Sequence, residues 1–169
     1  MQPLVGTVQR YAWGTTDAIP AILGQPDDGR PMAEYWLGAH ASDPAELGGV
    51  PLNLHLDRNP AEIGAASRRM FGDKLPFLMK VLAAEQALSL QAHPSREQAE
   101  EGFIFEETVG IAIDSHERTY KDNWPKPELL VSLGDFEALI GFRDPHVTSS
   151  LFAALGVGVS LDSVIGPLT

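Results

Sequence analysis

Leu75-Pro76-Phe77-Leu78-Met79-Lys80-Val81-Leu82-Ala83-Ala84-Glu85-Gln86-Ala87-Leu88-Ser89-Leu90-Gln91-Ala92-His93-Pro94 is the stretch whose reading decides the fold. Phe77 to Ala83 and Ala87 to Gln91 read as two strands, and Ala84-Glu85-Gln86 between them reads as the link of a hairpin. Alternate residues of a strand share one face. Ser89, Gln91 and His93 therefore fall on the same side, and Gln91 and His93 aim an amide oxygen and an imidazole at one spot. After Pro94, Ser95 caps an acidic helix running from Arg96 to about Glu107.

Strand signals continue outward from this stretch. Thr7 to Trp13 mixes β-branched and aromatic residues, Tyr35-Trp36-Leu37 is a short candidate strand, and Ala45-Glu46-Leu47 is another before Gly48-Gly49. Asn59-Pro60 opens a helix predicted to reach Phe71 before Gly72. Leu129 to Leu133 and Phe136 to Phe142 flank Gly134-Asp135, a second hairpin signal. Asp144-Pro145 starts a further helix that carries Leu151 to Leu155 and stops at Gly156, and the tail Val157 to Thr169 has no clear period. Many short strands joined by hairpins predict a β-sandwich or barrel.

The chain has 169 residues, enough for one domain with a real core. Its 12 Lys and Arg against 23 Asp and Glu leave a net charge of −11, which argues against nucleic acid and anionic membrane as partners. A local basic pocket for a small anion stays compatible with that acidity. There is no cysteine, so disulfides and thiolate metal sites are excluded, in keeping with a cytoplasmic protein. The first residues lack the basic start and apolar run of a signal peptide, and no stretch has the ~18–20 apolar residues of a membrane span.

Lys126-Pro127-Glu128 supplies the second half of a candidate site. Glu128 could add a carboxylate to Gln91 and His93, making a mixed nitrogen and oxygen shell suited to zinc or a similar divalent cation. Three protein ligands leave a position for water or substrate. Lys126 shares a strand face with Glu128 and could move a proton or bind an anionic oxygen. Ser89 could hold a phosphate, with Lys80 on the preceding strand as countercharge; a solubilising charge at a strand edge is an equal alternative for Lys80. Trp13 is as well explained by core packing as by a platform for a ligand. No glycine-rich phosphate loop, nucleophile elbow or dinucleotide fingerprint is present.

These segments, taken in order with Tyr11-Ala12-Trp13-Gly14, Ala33-Glu34-Tyr35-Trp36-Leu37-Gly38-Ala39-His40, Tyr120-Lys121-Asp122 and Asp135-Phe136-Glu137-Ala138-Leu139-Ile140-Gly141-Phe142-Arg143, resemble type I mannose-6-phosphate isomerase. The likeness runs from about Val8 to Arg143. It implies a mainly β fold with helical insertions, a cupin-like jelly roll present here as a partial barrel. Residues 1–143 would form that domain with its metal site, and 144–169 would begin a helical region. The resemblance implies one zinc ion per chain, held by Gln91, His93 and Glu128, and an active-site role for Lys126. It also places Trp13 and Glu34 near the substrate cleft. Where the family has a histidine before this lysine, the chain has Pro125, and the family's fourth ligand, a histidine far downstream, has no counterpart after His146. The implied activity is isomerisation of mannose 6-phosphate and fructose 6-phosphate in the cytoplasm, with a phosphorylated hexose as partner. The alternatives are a non-catalytic metal- or sugar-binding cupin module and an inactive fragment whose open sheet edges take a partner chain.

Overall fold

A computed structural model describes residues 2–156, and the chain divides between Ala92 and His93 into two compact units. The first unit holds two three-stranded antiparallel sheets. One joins β1 (Leu4–Val5), β4 (Glu46–Leu47) and β5 (Val50–Pro51), the last two linked through Gly48 and Gly49, both at positive φ. Two consecutive left-handed residues match the twist of a tight hairpin, and glycine adopts them without a Cβ clash.

The other sheet joins β2 (Thr7–Gln9), β3 (Glu34–Leu37) and β6 (Met79–Leu82) in that order, with Trp36 opposite both Thr7 and Lys80 and Glu34 opposite both Gln9 and Leu82. Strand alternation sorts these residues by face. Val8, Tyr35 and Val81 pack on the core of Ile19, Met32 and Ala83, which α1 (Ala18–Leu23) completes. Gln9, Glu34, Trp36 and Lys80 lie on the opposite face. Neither α1 nor α2 (Leu52–Arg58) was signalled by the sequence reading.

Three sequence expectations are corrected. Ala84-Glu85-Gln86 does not link two strands of a hairpin: Thr15 N–H donates to Ala83, Glu85 N–H donates to Trp13, and Gly14 bridges Ala84. The chain after β6 thus runs on along Trp13 to Thr15, and Ala87 to Gln91 forms no strand. Leu129 to Leu133 and Phe136 to Phe142 form no hairpin either, and Leu129, Ile140 and Phe142 are each over 90% exposed (92%, 92% and 96%). Their alternation fits a strand, but a two-stranded hairpin without a further partner is marginal in water. The helix expected over Asn59 to Phe71 is two pieces, a 3-10 turn at Pro60–Ile63 and α3 (Ala65–Phe71). Gly64, at φ 86°, breaks it, because that backbone conformation lies outside the helical region.

The second unit is built around α4 (Arg96–Val109), followed by α5 (Pro145–Ala154). Ser95 caps α4 with a reciprocal pair: its Oγ accepts from Gln98 N–H, and its own N–H donates to Gln98 Oε1. Asp144 caps α5 by accepting from the N–H groups of His146 and Val147. The expected helix starts at Ser95 and Asp144 thus hold. With strands of at most four residues and a fourteen-residue α4, the chain consists of small sheets with helices. It is not mainly β, and among the described residues there is no closed barrel.

The loop beyond α4 is tied back to the helix by buried charge. Arg118, 4% exposed, donates to the carbonyls of Tyr120 and Ile111 and to Glu107, and its guanidinium sits 4.9 Å from the Phe103 ring centre. Glu106 accepts from the backbone N–H groups of Thr119 and Tyr120 and pairs with Arg118 at 3.0 Å. Burial alone would raise the Glu106 carboxyl. The N–H groups of Tyr120 and Thr119, with Arg118, outweigh it and hold the group below its ordinary value. The Tyr120 ring lies against Gly102, where any Cβ would collide with it.

Candidate functional site

Two clusters gather the residues that could do chemistry, one in each unit. The first stands on the polar face of the β2-β3-β6 sheet. Glu34 is 7% exposed and accepts a hydrogen bond from Trp36 Nε1 at 2.7 Å. Positions i and i+2 of one strand put the two side chains side by side. Lys80, the cross-strand neighbour of Trp36, brings its ammonium to 3.5 Å from the other Glu34 oxygen and 5.3 Å from the Trp36 ring centre. Both separations are attractive, the second as a cation over a π face. The Lys80 side chain keeps 34% of its surface exposed, so the cluster has a buried base and a wet cationic tip.

The flanks of this cluster are aromatic and polar. The His40 ring meets Trp36 edge-on at 4.8 Å, and Ser42 donates its N–H to His40 Nδ1, which makes Nδ1 the acceptor nitrogen. Trp13 stacks with Tyr11 at 5.6 Å. Burial pushes the Tyr11 hydroxyl above its ordinary titration range, and the negative charges of Glu34 and Asp43 add to the rise. Across the ladder from Glu34, Gln9 buries its Nε2 without a hydrogen-bond partner.

Of the residues expected near a sugar, Glu34 and Lys80 thus meet each other, and Trp13 stacks on Tyr11. Ser89 is exposed on the segment that is not a strand, so strand alternation does not place it beside Gln91. Gln91 is likewise exposed. Sequence reasoning had not singled out Trp36, Tyr11 or Gln9 for a site. The signal for Trp36 was present, since Glu34 and Trp36 alternate within one strand.

The second cluster contains His93 and Glu128, with His93 Nδ1 3.9 Å from Glu128 Oε2. Two donors on one tetrahedral zinc, each about 2.0–2.2 Å from the ion, stand roughly 3.4 Å apart. This pair is therefore close to a separation at which one cation could be shared, and its imidazole and carboxylate are chemically suited to zinc. Among the described residues no group of three or more His, Cys, Asp or Glu side chains could hold a metal ion, so a third ligand must be of another kind. Lys126 pairs with Asp122 at 3.1 Å. Asp122 also accepts from Trp124 N–H, and the Arg96 guanidinium lies 5.0 Å from the Trp124 ring centre.

Residues 1–145 match the catalytic domain of type I phosphomannose isomerase. Mannose-6-phosphate isomerase of Escherichia coli strain K12 is 40% identical over 151 residues, which cover 85% of this chain and 38% of that protein. The mouse (Mus musculus) enzyme is 34% identical over 155 residues, 83% of this chain and 34% of that protein. The crystal structure of mannose 6-phosphate isomerase from Salmonella typhimurium bound to substrate (fructose 6-phosphate) and zinc is similar at a TM-score of 0.64 and 41% identity, covering 73% of this chain and 32% of that one. The chain thus spans less than two-fifths of the length of these relatives.

Proposed function

The chain belongs to the type I phosphomannose isomerase family, and from that premise we propose that it serves the zinc-dependent interconversion of mannose 6-phosphate and fructose 6-phosphate. The observation that carries this reading is the approach of His93 to Glu128, two of the three donors the resemblance implies, within 3.9 Å of each other. Gln91, two residues before His93, is the third proposed ligand, a donor outside the His, Cys, Asp and Glu types. A relative's crystal structure holds zinc and fructose 6-phosphate, which supports the same cofactor and substrate for this chain.

In this reading zinc, when bound, polarises sugar oxygens as a Lewis acid. Lys126, two residues before Glu128, serves proton movement between those oxygens, and its carboxylate partner Asp122 holds it oriented until substrate competes for it. Lys80 binds an anionic oxygen of the phosphorylated hexose, with Glu34, Trp13 and Ser89 as further contacts. Residues 1–143 act as one cupin-like domain in this reading, with the two antiparallel sheets as parts of its jelly roll and α5 as the start of a helical region. The cysteine-free sequence supports action in the reducing cytoplasm.

The test is turnover of mannose 6-phosphate by the 169-residue chain with zinc added, beside a Gln91→Ala/His93→Ala variant. Turnover that the variant abolishes supports the proposal. A folded, zinc-supplemented chain without turnover contradicts it for this chain.

A further inference from the structure

Trp36 touches both charged members of the first cluster by different parts of one ring system. Its N–H donates to Glu34 Oε2 at 2.7 Å, and its π face lies 5.3 Å from the Lys80 ammonium. Glu34 is the buried member, 7% exposed, and its free oxygen faces Lys80 at 3.5 Å. A lysine side chain has about 2 kcal/mol of rotamer entropy, so a half-exposed ammonium wanders unless something fixes it. Here two attractions act from two directions. The carboxylate that provides one of them is itself fixed by the ring that provides the other.

We propose that Trp36 is the positioning residue of this cluster: its N–H orients Glu34, and Glu34 and the indole face together hold the Lys80 ammonium where it meets an anionic oxygen of the ligand. This rests on the reading of Lys80 as a sugar-phosphate contact. Trp36 is 9% exposed and its ring is braced at the edge by His40, so it acts through Glu34 and Lys80 and not by touching ligand itself. An ammonium with one carboxylate neighbour and three N–H groups retains donors for a phosphate oxygen.

The experiment uses the whole chain labelled with 13C-lysine and 15N-tryptophan. The lysines are Lys74, Lys80, Lys121 and Lys126, assigned by single Lys→Arg changes. In the unmodified chain the Lys80 ε-methylene stands upfield of the other three, because it lies over an indole ring. Glu34→Gln leaves that ring in place and removes the carboxylate. Trp36→Phe keeps an aromatic face and removes the N–H.

The proposal expects both variants to return the Lys80 signal to the range of the other lysines, and Glu34→Gln to move the Trp36 indole N–H resonance as well. A Lys80 signal that stays upfield in folded Trp36→Phe overturns it, and so does one that stays upfield in Glu34→Gln, the isosteric variant least prone to misfold. Binding is read in parallel with fructose 6-phosphate and with fructose. Trp36→Phe should erase a roughly tenfold preference for the phosphorylated sugar, the worth of one charge-assisted hydrogen bond. Retention of that preference overturns the positioning role. A native chain that does not prefer fructose 6-phosphate refutes the substrate reading of Lys80 instead, and the lysine signals still decide whether Trp36 positions it.

Discussion

Glu34 and Trp36, two residues apart on β3, are joined by a 2.7 Å hydrogen bond from the indole Nε1 to the carboxylate. The bond gives the almost fully buried carboxylate a hydrogen-bond donor, and Glu34 is felt nearby. The Tyr11 hydroxyl is raised by burial first, then by Glu34 and Asp43. Glu34→Gln should therefore lower the titration of Tyr11, read by ultraviolet difference titration with Tyr11→Phe to assign it. An unchanged Tyr11 would mean that the Glu34 charge does not reach it.

Arg118→Ala should cost about 3–5 kcal/mol of folding stability, since it leaves the buried Glu106 carboxylate without its ion pair. It also removes the donors to the Ile111 and Tyr120 carbonyls and to Glu107, so the loop 111–120 loses part of what holds it to α4, while the Thr119 and Tyr120 N–H bonds to Glu106 remain. Chemical denaturation measures the loss, and hydrogen exchange should show faster exchange at Thr119 and Tyr120 N–H.

Asp28 is held down to about 2 by the side chain and N–H of Arg30, with Arg10 adding to the effect. A carboxyl whose folded value is depressed stabilises the fold above its ordinary value of 3.8, and that contribution is lost as pH falls through about 2. Arg30→Ala should bring the Asp28 titration, followed by carboxyl 13C shift, back up towards 3.8. The site is partly exposed, so high salt should weaken the depression in the native chain too.

Ser95→Ala removes one half of the reciprocal cap of α4 and should cost about 0.5–2 kcal/mol. Because His93 is two residues before this cap, the variant should also loosen the approach of His93 to Glu128. Thermal melts give the first effect, and zinc affinity gives the second.

Much of the fold was legible where the signal was local. The Ser95 cap with Gln98 three residues on, the Asp144-Pro145 start, the Gly48-Gly49 turn and strands at Tyr35 and Met79 all depend on a few adjacent residues. The failures depended on distant partners. Ala84 to Gln86 looked like the link of a hairpin, but hydrogen bonds tie Ala83 and Glu85 to Thr15 and Trp13, some seventy residues earlier, and no strand follows. Leu129 to Phe142 has strand alternation, but alternation cannot report whether a neighbouring strand exists to receive it. In the site, His93 and Glu128 were legible as chemistry and are found close together. The tie from Trp36 to Lys80 was not, because it needs the register that sets β3 against β6.

The most direct test of the central claim is zinc stoichiometry and affinity on the 169-residue chain, measured beside His93→Ala and Glu128→Ala. The account predicts one zinc per native chain and affinity that falls by at least tenfold in each variant. Absence of zinc from a folded native chain, or binding that both variants retain unchanged, would contradict it.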